Sequence, residues 1–198
     1  MSALSTELEA VNVMLGNIGE SPVTQLITLT SLPVSARTAI TVLDEVSRDV
    51  QSEGWHFNTV NKTTLSPNAS NEIVLADNVM HVDTLDHSRD IVQRGTKLFD
   101  REKNSSTVFT KDLDVRAMFL LDFTDLPEHA RRYIMLKASR IFQARIVGSQ
   151  ELEQQLLREE IKARQTLEEM DGQGADRTIF DNFDVASCIG LNRNYDIL

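Results

Sequence analysis

The chain has 198 residues, of which 41% are hydrophobic, and its 20 basic and 30 acidic side chains give a formal net charge of −10. This composition excludes disorder throughout and supports one domain or a compact pair, while the charge disfavours tight binding to nucleic-acid phosphates. No apolar run reaches the length that spans a bilayer, and the first residues lack the basic and apolar regions of a signal peptide. We therefore expect a soluble, unexported protein whose single cysteine, Cys188, forms no internal disulfide.

The first 58 residues predict two helices. Thr6 and Glu9 have the spacing of a capping box at the start of the first helix. Its apolar residues recur at steps of three and four: Leu8, Val11, Leu15 and Ile18. Ser35 is placed to cap a second helix, and Gly19 and Gly54 end the two helices. The predicted buried stripe of the second helix is Ile40, Leu43, Val46 and Val50.

Between residues 59 and 123, short β-prone runs alternate with clusters of Asn, Ser, Asp and Gly. This pattern predicts a small, mostly antiparallel sheet. The β-prone runs are 73–75, 79–85, 91–93, 108–109 and 115–123. Arg94, Gly95 and Thr96 are typical of a hairpin turn in which the glycine has a positive φ.

Two more helices are predicted after the sheet. Asp125 and Glu128 repeat the capping-box spacing at the start of a third helix, which we expect to run to Gly148. Ser149 is predicted to cap a fourth helix that ends before Asp171. The apolar stripe of this helix is Leu152, Leu156, Ala163, Leu167 and Met170.

The order of these elements predicts an α+β fold, because strands and helices do not alternate as a parallel sheet would require. We expect residues 1–58 and 124–171 to form a helical bundle and residues 59–123 to form an inserted β-rich region. Residues 172–198 contain glycines and no helical or strand period of useful length, so they are interpreted as a C-terminal arm.

The third and fourth helices have complementary charge. Basic residues lie on the third, and acidic residues crowd the fourth. One interpretation is a solvated surface with local pairs such as Glu160 with Arg164, and the other is an interface between subunits. The third helix also carries two apolar rows, so it needs two packing partners. These rows are Ile134, Ala138 and Ile141, and Met135, Phe142 and Ile146.

The sequence indicates no catalytic, cofactor-binding or metal-binding residues. The four histidines show no metal-ligand spacing, and no glycine-rich phosphate loop or serine nucleophile motif occurs. Trp55 is expected to fill the junction between the helices and the sheet. Paired carboxylates that could hydrolyse a glycan are abundant by chance alone. The candidates are Asp83, Asp86, Asp90, Asp112, Asp114 and Asp122.

Several stretches in the same order resemble one family, tail tubular protein A of short-tailed bacteriophages. They are residues 7–15, the IGESPV segment at 18–23, the QSEGWHFN segment at 51–58, Leu126-Pro127-Glu128, the KASR segment at 137–140 and the acidic helix at 151–170. The resemblance covers roughly residues 7–26, 36–58 and 117–170. The sheet region and the C-terminal arm match only in general character.

This resemblance implies a helical bundle with an inserted β-rich region, and a structural role as head-to-tail adaptor or gatekeeper. Members of the family assemble as a dodecameric ring under the portal protein and accept the tail nozzle protein, tail tubular protein B. Double-stranded DNA passes through the ring during genome ejection without tight binding. The implied location is the virion tail, assembled in the cytoplasm of the bacterial host, with no membrane and no cofactor involved.

Two alternatives to this adaptor stay open. Some relatives have been proposed to degrade polysaccharide, so the first alternative is a tail-associated hydrolase that uses paired carboxylates. The second is an unrelated acidic interaction domain with similar helices. An adaptor would be recruited by purified portal into a discrete complex, a hydrolase would show activity on a glycan, and the interaction domain would show neither property.

The adaptor hypothesis gives three sets of candidate residues. Basic residues of the third helix are expected to meet carboxylates of a neighbouring subunit or of the portal: Arg131, Arg132, Arg140 and Arg145. Apolar residues of the arm are expected to anchor it on a partner: Ile179, Phe180, Phe183 and Ile189. Acidic residues around turns of the sheet are candidates for the lumen: Asp83, Asp86 and Asp90.

Overall fold

The computed structural model describes residues 4–26, 32–86 and 88–174. The fold is α+β, which confirms the predicted class. The helices are α1 (Glu7–Asn17), α2 (Val34–Gln51), α3 (Glu128–Ile146) and α4 (Gln150–Gly174). The strands are β1 (Thr59–Leu65), β2 (Val79–Thr84), β3 (Ile91–Arg94), β4 (Lys97–Asp100) and β5 (Leu113–Phe119). Short 3₁₀ helices at His56–Asn58 and Phe123–Asp125 flank the inserted strands.

The starts of α1 and α2 show one correct prediction and one wrong prediction. The capping box of α1 is confirmed, because the Glu9 N–H donates to Thr6 Oγ1 at 3.2 Å and the Thr6 N–H donates to Glu9 Oε2 at 2.8 Å. The predicted cap by Ser35 is wrong. Helix α2 begins directly after Pro33, which provides no side-chain cap, and the Ser35 hydroxyl donates to Glu20 at 2.6 Å.

The capping box predicted at the start of α3 is also wrong. Helix α3 begins after Pro127 without a side-chain cap, and Asp125 belongs to the preceding 3₁₀ helix. The carboxylate of Glu128 instead accepts hydrogen bonds from the N–H and hydroxyl of Ser5, at 2.7 and 2.6 Å. A contact with the distant N-terminal segment therefore replaces the local one that the spacing predicted.

Helix α3 lies at the centre of the bundle, in contact with α1 and α2 as well as α4. Its buried residues lie around most of its circumference, so helices of the same chain cover both apolar rows except at Ile146, which is exposed. The buried residues of α3 are Ala130, Arg131, Tyr133, Ile134, Leu136, Ala138, Ser139, Phe142 and Gln143.

Helix α4 packs against α3 along a narrower stripe. Leu156, Ala163 and Leu167 are buried as the heptad-like pattern predicted, whereas Met170 is exposed. The Ser149 hydroxyl accepts a hydrogen bond from the Leu152 N–H at 3.4 Å, as expected for its predicted capping role. The helix continues to Gly174, beyond the predicted end. None of the helices in the described ranges combines the length and apolarity needed to cross a membrane.

The inserted region contains a three-stranded antiparallel sheet in the order β1-β5-β2 and the hairpin β3-β4. Gly95 has a φ of 60° in the hairpin turn, as the sequence predicted. Three strand predictions were wrong. Residues 108–109 form no strand, and residues 73–75 form only an isolated bridge between Val74 and Lys97. The polar β1 was missed because it pairs through its backbone with the apolar β5.

The inserted region has its own hydrophobic core, separate from the bundle core. Alternate residues of β5 point into it: Leu113, Val115 and Ala117 are buried, while Arg116 between them is exposed. Its other buried members are Ile73, Leu75, Val82, Ile91, Leu98 and Phe109. The fold therefore consists of two cores, and the chain crosses between them once before β1 and once after β5.

Candidate functional site

A buried glutamine joins the two chain crossings between the bundle and the sheet. Gln51, at the end of α2, is fully buried. Its Nε2 donates to the Leu121 carbonyl at 3.0 Å, and its Oε1 accepts from the Leu121 N–H at 2.8 Å. Because both amide atoms bond the same backbone residue, the entry and exit segments of the sheet are held side by side.

Asn58 and Trp55 complete this junction. Asn58 Nδ2 donates to the carbonyls of Gln51 and Phe119, at 2.8 and 3.1 Å, and its Oδ1 accepts from the Trp55 N–H at 2.9 Å. The Trp55 indole donates to the Val50 carbonyl at 2.7 Å and packs in the bundle core. The tryptophan therefore fills the junction, as expected, while the roles of the two amides were not predicted.

Arg164 connects α4 to the junction. Its guanidinium makes two hydrogen bonds to the Glu53 carboxylate, at 2.9 and 2.7 Å, and lies 5.3 Å from the Trp55 ring. It also donates to Glu168 at 2.7 Å. These hydrogen bonds, that to Glu53 foremost, raise the pKa of Arg164 above its ordinary value. The expected pair of Arg164 with Glu160 is not formed.

Arg131 is enclosed within its own chain. The residue is buried, and its guanidinium donates to the carbonyls of Leu126 and Ser5, both at 2.7 Å, and also to the carbonyl of Thr124. These bonds hold the N-terminal segment and the 3₁₀ turn against α3. The geometry is inconsistent with the expected contact between Arg131 and a partner, because the guanidinium is inside the fold.

Two further candidates of α3 form ion pairs within the chain. Arg140 Nε donates to Glu160 at 2.5 Å, which raises the pKa of Arg140. Arg145 makes two bonds to Glu45 of α2, at 2.7 and 2.8 Å. The pair of Arg140 with Glu160 thus accounts for part of the charge complementarity between α3 and α4 within the chain. Arg132, in contrast, is exposed and has no ion pair within the described ranges.

The three candidate lumen residues lie around the connection from β2 to β3. Asp83 is exposed on β2, and its carboxylate accepts from the Thr84 N–H at 2.9 Å. Asp86 accepts from the Ser88 hydroxyl at 2.6 Å. Asp90 pairs with Arg101 at 3.0 Å. The structure thus brings these three acids to one exposed turn region. The candidate anchors Ile179, Phe180, Phe183 and Ile189 lie outside the described residues.

Three carboxylates from different elements lie near one another beside α2, a grouping that the sequence did not indicate. Burial raises the pKa of Glu7, with further contributions from Asp44 and Asp122. Burial also raises the pKa of Asp44, against the opposing charge of Arg48. Asp44 and Asp122 line a cavity of about 150 Å³. Chain crossings between the two cores create this grouping, so no sequence spacing could have shown it.

One of the candidate hydrolytic acids, Asp114, is not suited to act as the general acid of a glycosidase. A general acid for glycan hydrolysis needs a raised pKa. The Thr64 hydroxyl donates to Asp114 at 2.6 Å and Lys62 pairs with it at 2.9 Å, so the pKa of Asp114 is lowered. Across the described part of the chain, no group of three His, Cys, Asp or Glu side chains is placed to hold a metal ion.

Comparison with known protein families identifies a structural component of a phage tail. The family model described as tail tubular protein matches residues 8–176, a range that includes the bundle, the junction and the inserted sheet. The chain therefore belongs to the tail tubular protein family. No curated protein matches it.

Proposed function

We propose that this chain is an A-type tail tubular protein, which forms a ring between the portal protein and the tail nozzle protein. The family match over residues 8–176 carries this proposal. The motifs that resemble the A-type family support it, because they occupy structural positions: Trp55 and Asn58 build the junction, and Arg140 joins α3 to α4. In this proposal Trp55 and Asn58 keep the two cores in a fixed arrangement, and Arg140 fixes α4 on α3.

The IGESPV segment also has a defined structural position. Asn12 of α1 donates from Nδ2 to the Val23 carbonyl at 3.0 Å and accepts from the Val23 N–H at 2.8 Å. This pair fixes the segment that leaves α1 alongside the helix. A subunit of a ring presents one surface to one neighbour and a complementary surface to the other, and such internal bonds hold these surfaces in place.

In this proposal the bundle and the sheet form one wall segment of a dodecameric conduit. Double-stranded DNA passes through without tight binding, in agreement with the net charge of −10. The exposed acids Asp83, Asp86 and Asp90 are the candidates for the lumen surface. Assembly would take place in the cytoplasm of the bacterial host, and the finished ring would remain in the virion tail.

Arg132 is the strongest of the basic interface candidates, since it is exposed on α3 without an ion pair in the described ranges. We expect it to meet a carboxylate of the portal or of a neighbouring copy. The test is sedimentation of the purified protein with purified portal, using Arg132→Glu and, as a matched control, Arg158→Glu at an exposed position of α4. The unmodified chain and the control should enter a discrete complex, and Arg132→Glu should not.

Two results of this experiment would count against the proposal in different ways. If portal fails to recruit the unmodified chain, the adaptor role is wrong. If Arg132→Glu assembles as well as Arg158→Glu does, the adaptor role stands and the interface lies elsewhere. Reversal of Arg140 is unsuitable as a test, because it would place a glutamate beside Glu160 and destabilise the monomer itself.

DNA binding provides an independent test of the conduit. The free protein should bind double-stranded DNA weakly, and its affinity should depend little on salt concentration, because few phosphates are neutralised. The measurement is fluorescence anisotropy of labelled duplex DNA at several salt concentrations. Tight binding with a steep salt dependence would show that a basic surface governs the contact with DNA, and the sliding conduit would then be excluded.

A further inference from the structure

Strand β2 has one edge that no strand of the described residues occupies, and it is called unpaired in that sense. It lies at the border of the three-stranded sheet, where β5 occupies only one side. The Leu85 N–H donates to the Asp114 carbonyl. In an antiparallel pair, every second residue of a strand bonds its neighbour through the backbone, so the backbone groups of Asp83 also face β5. The backbone groups of Val82 and Thr84 therefore point away from the sheet. The bond from the Thr84 N–H to its neighbouring Asp83 carboxylate agrees with this orientation.

Within residues 4–26, 32–86 and 88–174, strand β3 also has an unpaired edge. The Arg101 N–H donates to the Asp90 carbonyl, which places Asp90 and Val92 in the hydrogen-bonded positions of the hairpin. The backbone groups of Ile91 and Gln93 therefore point away from β4. The far edge of β4 is already occupied, because the Leu98 N–H donates to the carbonyl of Ile73.

The two unpaired edges border one groove. The volume of this groove is about 610 Å³. Consecutive residues of both strands line it. Because side chains on one face of a strand come from alternate residues, consecutive lining residues indicate that the groove runs along the strand edges. The lining residues are Met80, His81, Val82, Asp83, Ile91, Val92, Gln93 and Gly95. Gln93 Nε2 donates to the Val79 carbonyl at 3.2 Å, whereas its enclosed Oε1 meets no donor in the described ranges. Unpaired backbone and amide groups in a partly apolar groove favour an added β-strand.

The end of α4 lies close to this groove. Asp171 accepts from the His56 N–H at 2.8 Å, and Gly174 lies against the His56 imidazole. A second cavity, of about 190 Å³, begins beside His56 at Glu53 and Gly54 and shares His81 and Asp83 with the groove. The chain that leaves α4 is thus next to a depression that leads to the unpaired edge of β2.

The chain beyond Gly174 contains a suitable occupant. In a strand formed by residues 183–189, one face would carry three apolar side chains, Phe183, Val185 and Ile189, together with Ser187, and the other face would carry Asp184, Ala186 and Cys188. This period is too short to predict a strand by itself. A segment with such a short period can still pair with an existing strand edge, because that edge supplies the backbone hydrogen-bond partners. The eight residues that separate Gly174 from Phe183 reach about 25 Å when extended.

We propose that the groove between β2 and β3 is a strand-accepting site and that residues 183–189 of the same chain occupy it by pairing with β2. Phe183, Val185 and Ile189 would face the apolar lining formed by Val82 and Ile91. Asp184 and Cys188 would face solvent. The paired segment would be the fourth strand of the three-stranded sheet. This proposal does not depend on the ring proposed above.

Amide hydrogen exchange tests the pairing residue by residue. The Val82 N–H should exchange roughly tenfold more slowly in the full chain than in a chain that ends at Gly174, because it gains one hydrogen bond from the added strand. The His81 and Asp83 N–H groups provide the internal control, since they face β5 in both proteins. Equal exchange at Val82 in both proteins, with His81 and Asp83 still protected, would overturn the proposal.

A disulfide reporter keeps the test decisive if the shortened chain does not fold. Cys188 is the only native cysteine, so Asp83→Cys or His81→Cys in the full chain should form an intramolecular disulfide under mild oxidation. Val60→Cys, exposed on the opposite edge strand β1, is the matched control and should remain unlinked. Crosslinked dimers that increase with protein concentration would overturn the assignment to the same chain. No link at either groove position would overturn the site.

Discussion

The bundle and the inserted sheet differ in where their polar groups find partners. In the bundle, ion pairs join separate elements: Lys137 with Asp49, Arg140 with Glu160, and Arg145 with Glu45. In the sheet, the ion pairs connect neighbouring strands or turns near the surface, as between Lys97 and Glu72. Helix α3 of the bundle is covered on most of its sides, whereas strands β2 and β3 each have an edge that no strand of the described residues occupies.

This difference shows that a charge pattern visible in a sequence does not identify an interface by itself. The basic residues of α3 seemed suited to a partner, yet most of them bond groups of their own chain. The sheet region carries acidic and basic residues in similar numbers, but the edges of β2 and β3 present backbone groups that no strand of the described residues pairs. Four experiments on single residues test the contrast between the two regions.

The first experiment compares the two cores directly. Phe142 in the bundle and Phe109 in the sheet are both fully buried, so either Phe→Ala substitution should destabilise the protein by about 3–5 kcal/mol. Phe109→Ala should reduce hydrogen-exchange protection in β2 to β5 while α3 keeps most of its protection, because the cores are separate. Equal loss in α3 would show that the two cores unfold as one unit.

The second experiment compares neighbouring arginines of α3. Arg131→Met should lower the free energy of unfolding by about 3 kcal/mol, because it leaves buried carbonyls without donors. Arg132→Met should change it by less than about 0.5 kcal/mol, since Arg132 is exposed. Chemical denaturation measures both values. Similar small effects for the two variants would contradict the enclosed position of Arg131.

The third experiment weakens the junction between the regions. Gln51→Leu removes both bonds to Leu121 and should cost about 1–3 kcal/mol, because a buried N–H and carbonyl lose their partner. Gln155→Leu, at an exposed position of α4, is the control and should have little effect. Thermal unfolding followed by Trp55 fluorescence reports on the junction. An unchanged melting temperature for Gln51→Leu would mean that packing alone holds the two crossings.

The fourth experiment uses pH. Burial raises the pKa of Asp44 in the folded state above 3.8, the ordinary aspartate value. Between pH 3.8 and the raised pKa, the Asp44 carboxyl therefore binds more protons in the folded chain than in the unfolded chain. Stability attributable to this group is therefore lost as the pH rises through the folded-state pKa. Asp44→Asn should raise the melting temperature at pH 7 and have little effect well below pH 3.8, whereas Asp77→Asn at an exposed position should change neither value. A lower melting temperature for Asp44→Asn at pH 7 would show that the ionised Asp44 carboxylate stabilises the folded state, contrary to this prediction.

Local spacing and periodicity determined much of the fold. The α+β class followed from the order of patterns along the chain, the α1 capping box from three-residue spacing, and the β3-β4 turn from Gly95. Each of these features depends on residues close in sequence, whose preferences act before distant contacts form. The ordered motifs also identified the phage tail tubular family, to which the match over residues 8–176 assigns the chain.

The packing of the whole chain determines which distant groups meet. Glu128 bonds Ser5 instead of capping its own helix, and Arg131 bonds three carbonyls from two other segments. Strand β1 forms because β5 offers it a backbone partner, although its own residues are mostly polar. The physical reason is the same throughout: buried polar groups must find partners, and packing of the whole chain determines which partners are near.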